Sequence, residues 1–219
     1  MCAEAAADAG ERWGCLSLDR RSRLVVAWAA GPREAALAAE VVQTTRQRTA
    51  EQAGVPWVSD GWEAYPEEVD TAYRAPSPSG VRDGAVLRRV DGVGLTQAVK
   101  HRRGRRLERV EVRAPIGELA AQPYTVHIER FNGVLRDRLN CLTRKTHAFA
   151  KTDATWDAAV SLALFEHNWL HPHIALRHRL ATPENGRRYH QRTPAMAIGL
   201  TDHPWTFQAF LTRPAPQCT

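Results

Sequence analysis

Cysteine is scarce and scattered. Cys2, Cys15, Cys141 and Cys218 lie far apart with no Cys-x-x-Cys pair, so the chain has neither the spacing of a zinc ribbon nor a disulfide framework. Long apolar runs are missing, and none approaches the ~18 residues a membrane-spanning helix requires. The opening Met1-Cys2-Ala3-Glu4-Ala5 has no basic start and no apolar stretch; a secretory leader is not expected, and the cytoplasm is the expected compartment. Internal repeats are absent. Lysine is almost absent as well: 27 of the 30 basic residues are Arg. With abundant Ala, that bias is also what a GC-rich genome produces, so positive charge alone does not establish a nucleic-acid partner.

What is present fits a globular chain. At 219 residues and 43% hydrophobic content, it fits one domain, or one domain with a helical tail. A net charge of +6 and a pI of about 9.5 favour an anionic partner such as nucleic acid.

Two β-prone runs, Arg12–Leu18 and Arg23–Ala30, flank the polar turn Asp19-Arg20-Arg21-Ser22 and predict a hairpin. Residues Arg33 to Ala53 predict a helix with Leu37, Val41 and Val42 on its buried face, ended by Gly54. Val55–Val58 reads as a buried strand ended by Ser59-Asp60-Gly61, which sets Asp60 at its carboxyl end, before a helix from Trp62 to Val69. This order belongs to a mixed α/β sheet. The segment from Ala75 to Gly104 reads as an irregular insertion, and Leu107–Arg113 as a strand with Val110 and Val112 inward.

A helix is expected from Val126, with Thr125 as N-cap, to Leu142. Ile128, Phe131, Leu135, Leu139 and Leu142 form its stripe, with Glu129, Asn132 and Arg136 on the flank. Gly133 in its middle predicts close packing. A further helix, Thr155 to Leu170, stops at His171-Pro172, and a short one runs from Thr206 to Leu211. The polar stretch Ala181–Arg192 reads as a linker.

Asp60 and Glu129 are carboxylates that only the fold can bring together. Phosphodiester chemistry uses such groups to hold Mg²⁺, which activates the attacking oxygen and stabilises the leaving one. Taken singly, Asp60 also reads as a strand-ending turn residue and Glu129 as a solvated helix residue. The run Lys100-His101-Arg102-Arg103-Gly104-Arg105-Arg106 reads either as a solvated loop or as a DNA-backbone contact. Arg130, Arg136, Arg144, Lys145 and Lys151 extend the same basic surface. His167, His171 and His173 have no accompanying Cys, and Pro172 interrupts them, which argues against a zinc site. Trp156, Trp169 and Trp205 read as packing residues.

The words around the two carboxylates are more specific. Ser59-Asp60-Gly61-Trp62-Glu63-Ala64-Tyr65, His127-Ile128-Glu129-Arg130-Phe131-Asn132-Gly133-Val134-Leu135-Arg136 and Leu142-Thr143-Arg144-Lys145-Thr146-His147-Ala148-Phe149-Ala150-Lys151 closely resemble DDE transposases of the insertion sequence 1 family. The hairpin words Leu18-Asp19-Arg20-Arg21-Ser22 and the later Thr193-Pro194-Ala195-Met196-Ala197 extend the likeness over almost the whole chain.

The resemblance implies an α/β fold: a ribonuclease H-like mixed sheet flanked by helices over residues 1–175, with an insertion at about 75–105 and a helical extension over 176–219. It implies Asp60 and Glu129 as the second and third acids of a two-metal Mg²⁺ (or Mn²⁺) site, with His127 and Asn132 in support. The path from Asp60 to Glu129 is longer than in the family. On it Lys100, Arg102, Arg103, Arg105 and Arg106 are read as DNA contacts from their charge and not from the resemblance, and Arg130, Arg136, Arg144, Lys145 and Lys151 either extend that surface or solvate their helix. The partners would be transposon ends and target DNA, bound by a homo-oligomer, with no membrane. The first acid, on a strand ahead of the turn aspartate Asp19, would fall before Met1. A chain without it is expected to be incomplete as a strand transferase. Two alternatives stand beside that reading: a noncatalytic DNA-binding fragment that inhibits a full-length transposase, and a ribonuclease H-like nuclease that cuts without joining.

Overall fold

The computed structural model describes residues 12–50, 54–76, 87–142, 147, 150–184 and 186–213. Arg144 and Lys145 lie outside the described residues. The chain divides into two compact units, Met1–Ser17 with Val26–Glu129, and Leu18–Val25 with Arg130–Thr219.

In the first unit, β1 (Trp13–Leu18) and β2 (Val25–Gly31) pair as a two-stranded sheet. Alternation along β2 buries Val25, Ala27 and Ala29, as period-two side-chain placement requires. Helix α1 (Ala35–Arg48) follows, burying Leu37, Ala38, Val41, Val42 and Thr45 on one face. Ser17 Oγ and Thr45 Oγ1 lie 2.6 Å apart in the interior. Thr45 spends its one hydroxyl hydrogen on the Val41 carbonyl at 2.7 Å, so Ser17 donates to Thr45. The Ala27 amide in turn donates to Ser17 Oγ at 3.1 Å. Every link of this buried polar chain is satisfied, and it ties the hairpin to α1.

Strand β3 (Pro56–Asp60) and helix α2 (Ala64–Ala72) come next, then the short antiparallel pair β4 (Arg74–Pro76) and β5 (Leu87–Arg89). The three-stranded sheet takes the order β3, β6 (Gly94–Arg103), β7 (Arg106–Ile116). β3 is parallel to β6 and β6 antiparallel to β7, so the architecture is α/β with a mixed sheet. The core gathers Val42, Val69, Tyr73, Val93, Leu95 and Ile116, and a neighbouring cluster holds Ala27, Ala29, Leu37 and Val41. α1 supplies both clusters from adjacent positions of its stripe.

Helix α3 (Val126–Arg138) carries the chain from the first unit into the second. In the second unit, the Asp19 carboxylate accepts from the Ser22 amide at 2.8 Å and so shapes the hairpin turn. Helix α4 (Asp153–Phe165) is N-capped by Thr152, whose hydroxyl accepts from the Thr155 amide, and it widens over Glu166–Leu170 into a π-helical turn. Asn168 bonds both backbone groups of Val25, each at 2.9 Å, and His167 Nε2 lies 2.8 Å from the Arg23 carbonyl. Strands β8 (His178–Glu184) and β9 (Arg187–His190) form an antiparallel pair, followed by α5 (Pro194–Ala197) and α6 (Phe207–Thr212). Trp169 packs on Trp205 at 4.7 Å between ring centres and Phe165 on Phe210 at 3.9 Å, the packing role expected of those two tryptophans. Among the described residues, no helix is long and apolar enough to cross a membrane.

Several local expectations need correction. Residues 94–103 are not irregular but form the central strand of the sheet. Val110 and Val112 do not point into a core; they are 46% and 36% exposed. The stretch 181–192 contains most of a strand pair. Helix α3 ends at Arg138, with a separate 3₁₀ turn at Asn140–Leu142. Gly133 is not a packing glycine, since a Cβ built there meets nothing within 4 Å. The position that requires glycine for close approach is Gly54, where a Cβ would lie 2.4 Å from the Asp91 carbonyl oxygen.

These two glycines yield opposite expectations. Gly54→Ala should destabilise by about 1–3 kcal/mol, because backbone must shift to admit the methyl. Gly133→Ala should stabilise by up to about 1 kcal/mol through helix propensity. Urea denaturation of both variants measures the signs, and equal effects would contradict the two environments.

Candidate functional site

The parallel register sets Pro56 beside Gly94 and Asp60 beside Ala98. Residues opposite each other in a sheet share a face, and side chains alternate along a strand. Asp60, Ala98 and Lys100 therefore lie on one face, with Asp60 at the carboxyl end of β3 and Lys100 just beyond it on β6. Lys100 Nζ lies 2.5 Å from Glu129 Oε1. Asp60 and Glu129, from the end of β3 and the first turn of α3, are thus gathered at one end of the three-stranded sheet, within the first unit.

Asp60 is exposed. Its Oδ1 accepts from the Trp62 amide at 3.2 Å, an Asx turn that leaves the second oxygen outward. The backbone beneath it is held by Gln97, which is fully buried. Gln97 Nε2 donates to the carbonyls of Asp60 at 2.9 Å and Trp62 at 3.0 Å, and its Oε1 accepts from Arg113 Nε at 3.1 Å. One side chain thereby satisfies two turn carbonyls that would otherwise be costly to bury.

Glu129 is half-exposed. The Lys100 ammonium is the main cause that holds its carboxyl below the ordinary range, with the Thr125 hydroxyl second, while partial desolvation opposes both. Thr125 is thus not simply a helix cap: its hydroxyl donates to the Glu129 carboxylate. A carboxylate in the first turn of a helix is also favoured by the helix dipole.

On the other side of Asp60, Cys15 Sγ and the Tyr65 hydroxyl lie 3.1 Å apart. Burial pushes the Tyr65 phenol far above its ordinary value, with Cys15 and then Asp60 adding to the rise. Burial likewise pushes the Cys15 thiol up, and the Asp60 charge adds to it. Both groups keep their protons at neutral pH, so this pair is not a nucleophile. Arg33 stacks over Trp13 at 4.8 Å and over Trp62 at 5.5 Å.

The remaining predicted residues are distributed between the units. Arg102, Arg103, Arg105 and Arg106 are exposed around the β6–β7 turn, and His127 lies on the first turn of α3. Arg130, Asn132, Arg136 and Lys151 belong to the second unit; Arg130, Arg136 and Lys151 are exposed and Asn132 is half-buried. Among the described residues, no group of three or more His, Cys, Asp or Glu could hold a metal ion. Gln97, Cys15 and Tyr65 were not foreseen. The only signal for Gln97 was a long polar side chain in the short, uncharged run Leu95-Thr96-Gln97-Ala98-Val99.

No protein-family model matches the chain, and no curated protein or solved structure is significantly similar to it.

Replacing Lys100 should expose the Glu129 environment. Lys100→Met is expected to raise the Glu129 pKa toward the ordinary carboxylate range, read from the pH dependence of its side-chain NMR resonance. Because the carboxyl is depressed in the folded chain, the pair's contribution to stability is present above the unfolded carboxylate pKa. It fades as pH falls through the folded value. The variant should therefore lose little stability in acid and slightly more at neutral pH, and an unmoved Glu129 titration would show that Lys100 does not govern it.

Proposed function

We propose that this chain is the catalytic domain of a DDE-type transposase, with a ribonuclease H-like sheet, acting on transposon ends and target DNA. The observation that supports the reading best is that Asp60 ends β3 on the sheet face of Lys100, and that Lys100 pairs with Glu129. The sequence words around both residues resemble the second and third acids of insertion sequence 1 transposases.

In this reading Asp60 and Glu129 would hold Mg²⁺ or Mn²⁺, which suits oxygen donors and keeps several waters when few carboxylates bind it. When bound, the metal would activate the attacking oxygen and stabilise the leaving one in hydrolysis and strand transfer. The chain's own residues set the stage. Gln97 fixes the backbone from which Asp60 projects, and Thr125 orients Glu129. Lys100 is the counterion of Glu129 in the metal-free chain; an arriving DNA phosphate would draw its ammonium away and leave the carboxylate for the cation. Arg102, Arg103, Arg105 and Arg106 would neutralise the DNA backbone, and the protein would act as a homo-oligomer on DNA.

The first acid of the resembling set has no match among these 219 residues. A second reading, a noncatalytic DNA-binding chain, is favoured by the Lys100–Glu129 pair, which already neutralises one of the two carboxylates.

Paramagnetic broadening by Mn²⁺ separates the two. The catalytic reading expects NMR signals of both Asp60 and Glu129 to broaden, with the effect weakened at least tenfold in concentration by Asp60→Asn or Glu129→Gln. Broadening at neither residue, or broadening indifferent to both substitutions, would sink it and leave the DNA-binding reading. An efficient, Asp60-dependent joining of a 3′-hydroxyl end by the chain would show instead that the acid set is already complete.

A further inference from the structure

β3 stops at Asp60, opposite Ala98, but its neighbours do not. β6 and β7 continue to pair from Val99 with Glu111 out to Arg103 with Arg106. At about 3.4 Å per residue, the ribbon runs on for roughly 17 Å beyond the end of β3. Residues 102–113 are exposed without interruption, so neither face of the outer ribbon rests on a core. The turn is closed by Gly104, at a φ of +59° that favours glycine.

The two faces differ. Lys100 and Arg102 share the Asp60 face with their partners Val110 and Leu107, and Val112 lies there opposite Ala98. The register shift between His101 and Arg102 keeps Leu107 on this face. Leu107, Val110 and Val112 are 43%, 46% and 36% exposed. On the other face Glu111 is engaged by His101 at 2.9 Å and Arg109 at 3.5 Å. Among the described residues, no carboxylate forms an ion pair with Arg103, Arg105 or Arg106, and Arg102 acts on Glu129 only through its longer-range charge. Between Lys100 and Arg113 seven basic residues face two acidic ones, a surplus of five in a chain whose net charge is +6.

We propose that this ribbon is a DNA-binding arm that enters the major groove of the duplex presented to the Asp60–Glu129 end of the sheet; the placement of that duplex rests on the function proposed above. A tip of arginines without carboxylate partners calls for a polyanion. The major groove of undistorted duplex, about 12 Å wide, admits a two-stranded ribbon, whereas ribbons that enter the narrower minor groove do so on DNA they bend and wedge open. The apolar residues interleaved with Lys100 and Arg102 match the major groove too, because that groove displays the thymine methyl group. The arm is rooted beside Asp60, so a duplex whose backbone passes that carboxylate runs its groove along the ribbon. Edge-to-edge pairing of two such arms is opposed by their like charge.

The test uses the full chain, a fluorescein-labelled duplex and EDTA throughout, with fluorescence anisotropy over a series of KCl concentrations. The variant replaces Arg102, Arg103, Arg105 and Arg106 with Ala, and its circular-dichroism melt is compared with that of the parent. A folded variant should bind more weakly, and its slope of log affinity against log salt should flatten by about 0.9 for each phosphate no longer neutralised. Methyl green, a major-groove ligand, should compete with the parent chain, and distamycin, a minor-groove ligand, should not. Leu107→Ser with Val110→Ser should weaken binding to a thymine-rich duplex more than to its uracil counterpart. Unchanged affinity and slope in the arginine variant would overturn the arm, as would competition by distamycin alone, or loss of self-association with DNA binding intact. If the arginine variant does not fold, the serine pair and the groove competitors decide. Because binding is read without metal, failure of Mn²⁺ binding at Asp60 leaves this readout standing, and failure of the arm leaves the metal test standing.

Discussion

β3 lies parallel to β6 for five residues and ends where Asp60 meets Ala98; the arrangement of the first unit depends on that register. It places Leu95 and Thr96 in the interior, carries Lys100 past the end of the neighbouring strand and brings Gln97 under the turn. A slip of one residue would exchange the faces of the sheet, taking Asp60 from the side of Lys100 and leaving Gln97 buried without the Asp60 and Trp62 carbonyls. The fully buried amide therefore acts as a register pin. Its partners are two backbone carbonyls, the Ser59 hydroxyl and Arg113, and a one-residue shift that turns the side chain to the other face separates it from the two carbonyls.

How far the fold was legible follows from what each pattern can encode. Leu37, Val41 and Val42 mark the buried face of α1 because helical spacing with one covered side is a direct record of burial. β6 gave no such record. Leu95, Thr96, Gln97 and Ala98 are all buried, since a central strand is covered on both faces and does not alternate, and its outer half is a basic run. In β7 the alternation was legible and its meaning was not: period two separates two faces without saying which of them meets a core, and along the outer ribbon neither does. In the second unit, Asn185-Gly186 is a hairpin signal in its own right, but polar composition made its surroundings read as a linker.

The candidate site divides in the same way. Asp60 and Glu129 were legible as residues because a strand end and a first helical turn are local features. Their neighbours were not, because each contact joins distant parts of the chain. Lys100 reaches Glu129 across 29 positions and Cys15 reaches Tyr65 across 50, and no local spacing encodes such a meeting. Lys100 could be read from sequence only as one cation in a basic run. The fold makes it the junction between that run and the carboxylate.

That junction is poorly explained by stability. Glu129 and Lys100 have side chains 49% and 35% exposed, and pairs so open to water contribute about 0–1 kcal/mol, less as salt rises. Thr125 is different: it is buried, so its hydroxyl needs an acceptor, and the Glu129 carboxylate supplies one. The Lys100 contact, at the end of a sheet and the root of a basic ribbon, costs side-chain entropy for almost no gain in folding free energy. The interior polar chain of Ser17, Thr45 and Ala27 is different, because its buried atoms would be costly if left unpaired. A structural requirement accounts for that chain and for Gln97. It accounts for Thr125 as well, but not for the Lys100–Glu129 contact, which on the function proposed above would hold the carboxylate ready for a cation.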